Sequence, residues 1–341
     1  MSIKLSSRFA IIIRMYDKIY YVKEQPSKPS KKIKQLKYFF LLSVFLFTVN
    51  VFANIFIYPT VAKGSVFVSP LARDIIQKTV SFINSQENSG QIEKIVKEVL
   101  ENNTDNYGIV IKNLKTGERY YLNNDKIFDT ASLYKLWVMA VVFKQIDEGK
   151  LKEADVLSDE VKSLNMKFNI STESADLTEG TVTLQVGNAL QKMIIISDNY
   201  SALLLTQRIG VENLAHFLSE NNFNDSKVGT AIQNPKTSAR DIASFLDKLY
   251  HDKLNNNSSS KKMLDLLKKQ QLNGKIPKYI DNSIDIAHKT GELGAVSHDA
   301  GIIYGAKSNF IIVVLSTSSN QAVANEKISL ISKKVYDYFS K

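Results

Sequence analysis

Hydrophobic positions along this chain recur with two periods, and the switches between them mark its elements. Ile92, Ile95, Val96 and Val99 repeat at helical spacing. Tyr107–Ile111 and Arg119–Leu122 then read as two strands joined by a turn over 112–118. Helical spacing returns over 132–149, about 183–195, 199–208, 211–219, 237–250 and about 260–270. Apolar, β-branched runs at 284–288, 300–304 and 310–316 predict further strands, and an amphipathic helix over 322–339 closes the chain. A helix and hairpin first, helices in the middle, and strands plus a helix last imply an α+β fold. In it an antiparallel sheet, completed by both ends of the domain, is flanked by helices, with an all-helical subdomain between. No internal repeat is visible. Asn255-Asn256-Asn257-Ser258-Ser259-Ser260 reads as a short polar loop.

The first ninety residues follow a different pattern. Residues 38–58 carry no charge, and these 21 residues suffice to cross a hydrocarbon core as a helix, which takes about 20. Residues 59–90 read as a stalk or linker, with one amphipathic helix hinted at by Leu71, Ile75, Ile76 and Phe82, broken by the polar run 84–90. The globular part is therefore expected over 91–341.

Charge sharpens this division. Of a formal +10, residues 1–37 carry +8, ten Lys and Arg facing only Asp17 and Glu24. A nucleic-acid groove would place its basic excess on the folded domain, so no nucleic-acid partner is expected. Lysines crowd only the N-terminal flank of the apolar run, so the tail is expected in the cytoplasm and the domain outside it, as a single-pass protein of the cell membrane. Val51-Phe52-Ala53 also has the small-residue character of a cleavage site, which would make the domain secreted; Ile55-Phe56-Ile57 continues the apolar run and favours an uncleaved anchor. The chain has no cysteine, which removes thiol nucleophiles, disulfides and Cys-ligated zinc. His216, His251, His288 and His298 show no metal-ligand spacing, and neither metal nor cofactor is expected. His288 and His298 flank the strand run near 289, where one could touch substrate, and are read as structural.

Candidate chemistry starts with Ser132-Leu133-Tyr134-Lys135, a Ser-x-x-Lys at the start of a strongly apolar helix. Residues three apart share a helix face, so Lys135 is placed to lean toward the Ser132 hydroxyl. A serine hydroxyl needs a neighbouring base to become a nucleophile, and an amine serves only if burial or a second cation lowers its pKa. Alone, the pattern equally fits a helix-capping serine with a solvated lysine. Two further copies, Ser258…Lys261 and Ser259…Lys262, fall in the polar loop. Ser197-Asp198-Asn199 sits between two helical segments, and Lys289-Thr290-Gly291-Glu292 lies in a strand run, where Gly291 lets backbone approach a ligand closely. The same four letters at Lys115-Thr116-Gly117-Glu118 precede the serine and read as a hairpin turn.

Ser-x-x-Lys, Ser-Asp-Asn and Lys-Thr-Gly in this order, 65 and 92 residues apart, resemble the penicillin-recognising serine enzymes, most closely the class A β-lactamase family. The resemblance covers roughly 91–341 and implies a β-lactamase/transpeptidase-like fold. It implies that Ser132 attacks the carbonyl, that Lys135 is its base or proton relay held by the Asn199 amide, and that Ser197, beside Lys289, passes a proton to the departing amine. It further implies that Thr290 binds the substrate carboxylate and that backbone N–H groups of Ser132 and Glu292 form the oxyanion hole. The implied partners are a β-lactam or a peptidoglycan peptide, met by a monomeric ectodomain.

One part of the family pattern is missing. The Glu-x-x-Leu-Asn stretch whose glutamate activates the deacylating water does not occur; Glu220-Asn221-Asn222-Phe223-Asn224 is an echo that comes too early, and Glu220 reads as a helix-end charge. Acylation with slow deacylation is the expectation. The alternatives are a sensor that binds without turnover and, if Glu220 or another group activates water, an efficient β-lactamase.

Overall fold

In the computed structural model, which describes residues 90–230 and 233–341, the strand runs assemble into a five-stranded antiparallel sheet. Its strands are β1 (Tyr107–Asn113), β2 (Arg119–Leu122), β7 (Ile286–Leu293), β8 (Val296–Tyr304) and β9 (Asn309–Thr317), in the order β2-β1-β9-β8-β7. The register follows the burial alternation. Ile109, Ile111, Phe310, Ile312 and Val314 face one side, where they pack with Ile92 and Val96 of α1 (90–100) and with Ile328, Ile331 and Val335 of α9 (Gln321–Ser340). Val110, Ile311, Val313 and Leu315 face the other, packing on the central helices. Both ends of the domain thus supply strands to the sheet, as the sequence pattern predicts, and their helices cover one face of it.

The other face packs on α7 (Ala239–Tyr250) and α8 (Asn257–Lys268). In the same core lies α2 (Lys135–Asp147), whose first nine residues, Lys135 through Phe143, are all buried. A helix apolar on every side belongs in a core, and α2 is surrounded by α4 (Val186–Ile195), α5 (Asn199–Ile209), α6 (Val211–Glu220) and α8. The helical part is completed by α3 (Val161–Lys167). A ribbon of β4 (Val156–Glu160) and β5 (Thr181–Gln185), and a two-residue pairing of β3 (Phe128–Asp129) with β6 (Lys236–Thr237), complete the strands.

Three expectations need correction. Residues 181–185 form a strand rather than the start of the 183–195 helix, because their alternating side chains pair with β4. The polar run 255–260 is not merely a loop: Asn256 caps α8 by accepting from Ser259 N–H at 2.9 Å, so Asn257–Ser260 are its first turn. Of the two spare Ser-x-x-Lys copies, Ser259…Lys262 has fixed partners, Ser259 Oγ donating to Asp147 Oδ1 at 2.6 Å and Lys262 pairing with Glu153 at 2.5 Å. The basic tail (1–37), the apolar span (38–58) and the stalk (59–90, apart from Gly90) lie outside the described residues; among those described, no helix is long and apolar enough to cross a membrane.

Candidate active site

The segments remote in sequence meet beside β7, an edge strand of the sheet. Ser132 lies in a 3-10 turn, Ala131–Tyr134, that leads directly into α2. Ala131 before it is left-handed (φ +45°), and so is Ser197 (φ +60°) in the turn between α4 and α5. Such conformations cost about 1–3 kcal/mol each for residues with a side chain and persist where the surroundings enforce them. Asp198 enforces the second turn by capping α5, accepting from Ser201 N–H at 2.7 Å. The result is that the Ser197 carbonyl accepts from Lys135 Nζ at 2.5 Å.

Lys135 has no solvent exposure, and its ammonium can place all three protons: on Ser197 O, on Asn199 Oδ1 at 2.7 Å and on Ser197 Oγ at 3.3 Å. Lys289, equally buried on β7, donates to the same Ser197 Oγ at 2.9 Å and to Thr290 O at 2.8 Å. One serine hydroxyl thus bridges two amines. Burial holds the Lys135 pKa down at about 8, against the upward pull of Asp198 and Asp176. Burial, and then the neighbouring Lys135 charge, push Lys289 well below the ordinary lysine range. Lys135 is therefore near the point where an amine exchanges protons at neutral pH.

Beta-strand β7 is the sheet edge that faces the Ser132 turn. A Cβ at Gly291 would stand 3.1 Å from Thr130 O, 3.3 Å from Ala131 Cβ and 3.4 Å from Leu133 Cγ, so the glycine sets how closely strand and turn approach. Between them opens a cavity of roughly 380 Å³, lined by Ser132, Ser197, Asn199, Thr290 and Glu292 of the predicted set. Leu272, Gly274, Lys275 and Asn325 line it as well and were not foreseen. Lys275 is buried, donating to His298 O at 3.3 Å and pairing with Glu292 at 2.6 Å. Only its place after a glycine marks it in the sequence. Lys135, Lys289 and Gly291 lie behind the wall and act on the cavity through Ser197 and the packing of β7.

The remaining candidates fall elsewhere. Glu220 ends α6 and is tied to Lys144 and, at 3.3 Å, to His216. It does not line the cavity, so the expected helix-end role fits and the route to fast hydrolysis through Glu220 loses its geometry. His288 and His298 are buried, the first bonded to Asp299 at 3.0 Å and to Asn273 at 3.1 Å, the second to Asp129 O at 2.8 Å. The first Lys-Thr-Gly-Glu is the β1–β2 turn: Asn113 Oδ1 accepts from Lys115 and Thr116 N–H, and Gly117 takes φ +78°.

A serine at a helix start, an adjacent buried amine and a second serine held between two lysines define a serine hydrolase acting on amide bonds. The chain belongs to the β-lactamase enzyme family, whose sequence model matches residues 91–339. It is 27% identical over 293 residues to the β-lactamase VEB-1 of Pseudomonas aeruginosa, covering 76% of this chain and 94% of the relative. A β-lactamase from Sphaerobacter thermophilus superposes with TM-score 0.64 at 21% identity, over 73% of this chain and 96% of that one. A mutant of PBP-A, solved as its acyl-enzyme complex with penicillin G, gives TM-score 0.64 at 22% identity, over 73% and 95%. These last two likenesses show the fold.

Proposed function

We propose that this protein is a membrane-anchored, extracytoplasmic serine hydrolase that acylates Ser132 with β-lactams or peptidoglycan peptides and releases the acyl group slowly. The observation that carries the reading is the Ser197 hydroxyl shared by Lys135 and Lys289 at the wall of the cavity that Ser132 lines. A neutral Lys135 keeps two N–H donors for Ser197 O and Asn199 Oδ1, its shortest contacts, and frees a lone pair. That lone pair takes the Ser132 proton as the oxygen adds to the substrate carbonyl carbon. The proton then moves through Ser197 to the amine nitrogen as the C–N bond breaks, leaving an ester on Ser132. Lys289 holds the Ser197 hydroxyl at the same place by donating to its oxygen, Thr290 takes the substrate carboxylate, and the Ser132 and Glu292 N–H groups hold the oxyanion; such a donor contributes about 2.7–4 kcal/mol.

Release of the ester needs a base to activate water. Glu292 is the one carboxylate among the described residues lining the cavity, and it is committed to Lys275. A monomeric ectodomain supplies every group used. The test is intact-protein mass spectrometry of the ectodomain with benzylpenicillin. One penicillin mass should add per chain and persist for minutes, compared with a typical enzyme turnover of roughly 10 per second. Ser132→Ala should remove the adduct. Fast loss of the adduct rejects slow release, and an undiminished adduct on the Ala variant rejects Ser132 as nucleophile.

A further inference from the structure

The site holds an interaction that the motifs do not account for. Asn199 turns its two ends to opposite charges: Oδ1 accepts from Lys135 Nζ at 2.7 Å, and Nδ2 donates to Asp176 Oδ2 at 2.7 Å. The reversed amide would set N–H against the ammonium and C=O against the carboxylate, unfavourable at both ends, so Asp176 fixes which way Asn199 faces. The loop that carries Asp176 is itself fastened to α5. Tyr200, the residue after Asn199, is buried; its hydroxyl donates to Leu177 O at 2.6 Å and accepts from Leu177 N–H at 3.1 Å. Asn165 Nδ2 holds the same carbonyl at 2.9 Å. Two successive residues of α5 thus grip two successive residues of an otherwise exposed loop, 176 and 177.

We infer that Asp176 is a positioning residue for acylation, acting through Asn199 to set both the placement and the proton affinity of the Lys135 amine. The inference rests on the acyl-enzyme reading above and deepens it. A nucleophile's base is commonly oriented by a third group, and here a carboxylate does so across one amide. The charged groups around the Lys135 amine are Asp198 at the start of α5, Asp176 on the loop and Lys289 on β7. Of these, Asp176 is the acid on the open side, where removing it disturbs no core packing.

The sign follows from the chemistry. Lys135 must be neutral to take the serine proton, so acylation rises as pH passes its pKa of about 8. A nearby carboxylate favours the ammonium and holds that midpoint up; neutralising it moves the midpoint down. The experiment measures the second-order rate of fluorescent-penicillin labelling from pH 5.5 to 9.5 for the ectodomain and for Asp176→Asn and Asp176→Ala. Asp176→Asn keeps an acceptor for Asn199 Nδ2, so its midpoint should fall to lower pH with its high-pH rate near that of the parent. Asp176→Ala loses both charge and acceptor, and should show the same midpoint shift with a high-pH rate lower by about tenfold or more, part of what a positioned base contributes. Parent-like midpoints in both variants, with circular dichroism confirming their fold, overturn the inference while leaving the acyl-enzyme reading intact. A parent ectodomain that takes no label at any pH overturns both.

Discussion

Two lysines buried within reach of one hydroxyl cannot both stay fully charged at low cost, because each is desolvated and each repels the other. The protein uses that cost at Lys135 and Lys289, whose amines are brought toward neutrality where a proton must move. The same physics acts at His298, without chemistry. Its Nδ1 accepts from Ser316 N–H at 3.1 Å, so the proton sits on Nε2 and is donated to Asp129 O, which specifies a neutral ring. Phe128 packs edge-on against the ring. Burial first, then the Lys275 charge, lower its pKa to about 4 from 6.5, with Asp129 opposing. The unfolded chain therefore binds a proton in the window between 6.5 and 4 that the folded chain refuses. Stability is indifferent to this group above pH 6.5, declines as pH falls toward 4, and levels below that, a loss of order 3 kcal/mol. Denaturant unfolding at pH 7 and pH 4.5 checks it. His298→Asn, whose Oδ1 can still accept from Ser316, should be less stable at pH 7 yet lose less on acidification than the parent. An equal loss in both would show that other groups drive the acid response.

At the scale of elements, the site depends on how closely edge strand β7 lies against the 3-10 turn. Gly291→Ala tests that spacing: a methyl 3.1 Å from Thr130 O must push turn and strand apart. Such overpacking costs about 1–2 kcal/mol of stability. The displacement falls on the turn that carries Ser132, and misplacing a nucleophile by a fraction of an ångström lowers acylation by roughly 10- to 100-fold. Labelling rate against thermal melting should therefore show rate falling far more than stability; a rate loss no larger than the stability loss predicts would refute it. This dependence is legible in the sequence, since Lys289-Thr290-Gly291 in a strand run implies backbone approach. So are α2, the hairpin of the first Lys-Thr-Gly-Glu and the five strands of the main sheet, although Ser297, His298 and Asp299 hide the first half of β8. The β4–β5 ribbon was not legible. Asp159, Glu160 and Thr181 interrupt the apolar alternation of strands that only half bury their side chains. Asp176 escaped for a related reason: an acid in an exposed polar loop reads as solvated until Asn199 is seen to bond it. Asn256 was hidden because the residues that cap helices are also those that fill loops.

At the scale of the whole molecule, the charge distribution and the catalytic proposal make one argument about place. The tail carries +8 ahead of 21 uncharged residues, while everything after residue 37 carries only +2. On the proposed function the domain meets its cell-wall peptides only outside the cytoplasm, and the positive-inside rule would put it there with the basic tail kept inside. Attachment by the tail's charge alone would be screened away by about 1 M salt, where the Debye length is near 3 Å, whereas a spanning helix stays put. The full-length chain, expressed in a bacterium and labelled with fluorescent penicillin, should sediment with membranes and remain there through a high-salt wash. Protease added to intact spheroplasts should release a labelled soluble fragment, cut between the apolar run and residue 91. Deletion of residues 1–58 should leave the label in the cytosol, where its folded domain has no wall to meet. Label found in the medium on a chain beginning near residue 54 would instead identify a cleaved signal, and label that salt strips from membranes would reduce the apolar run to a bystander of the basic tail.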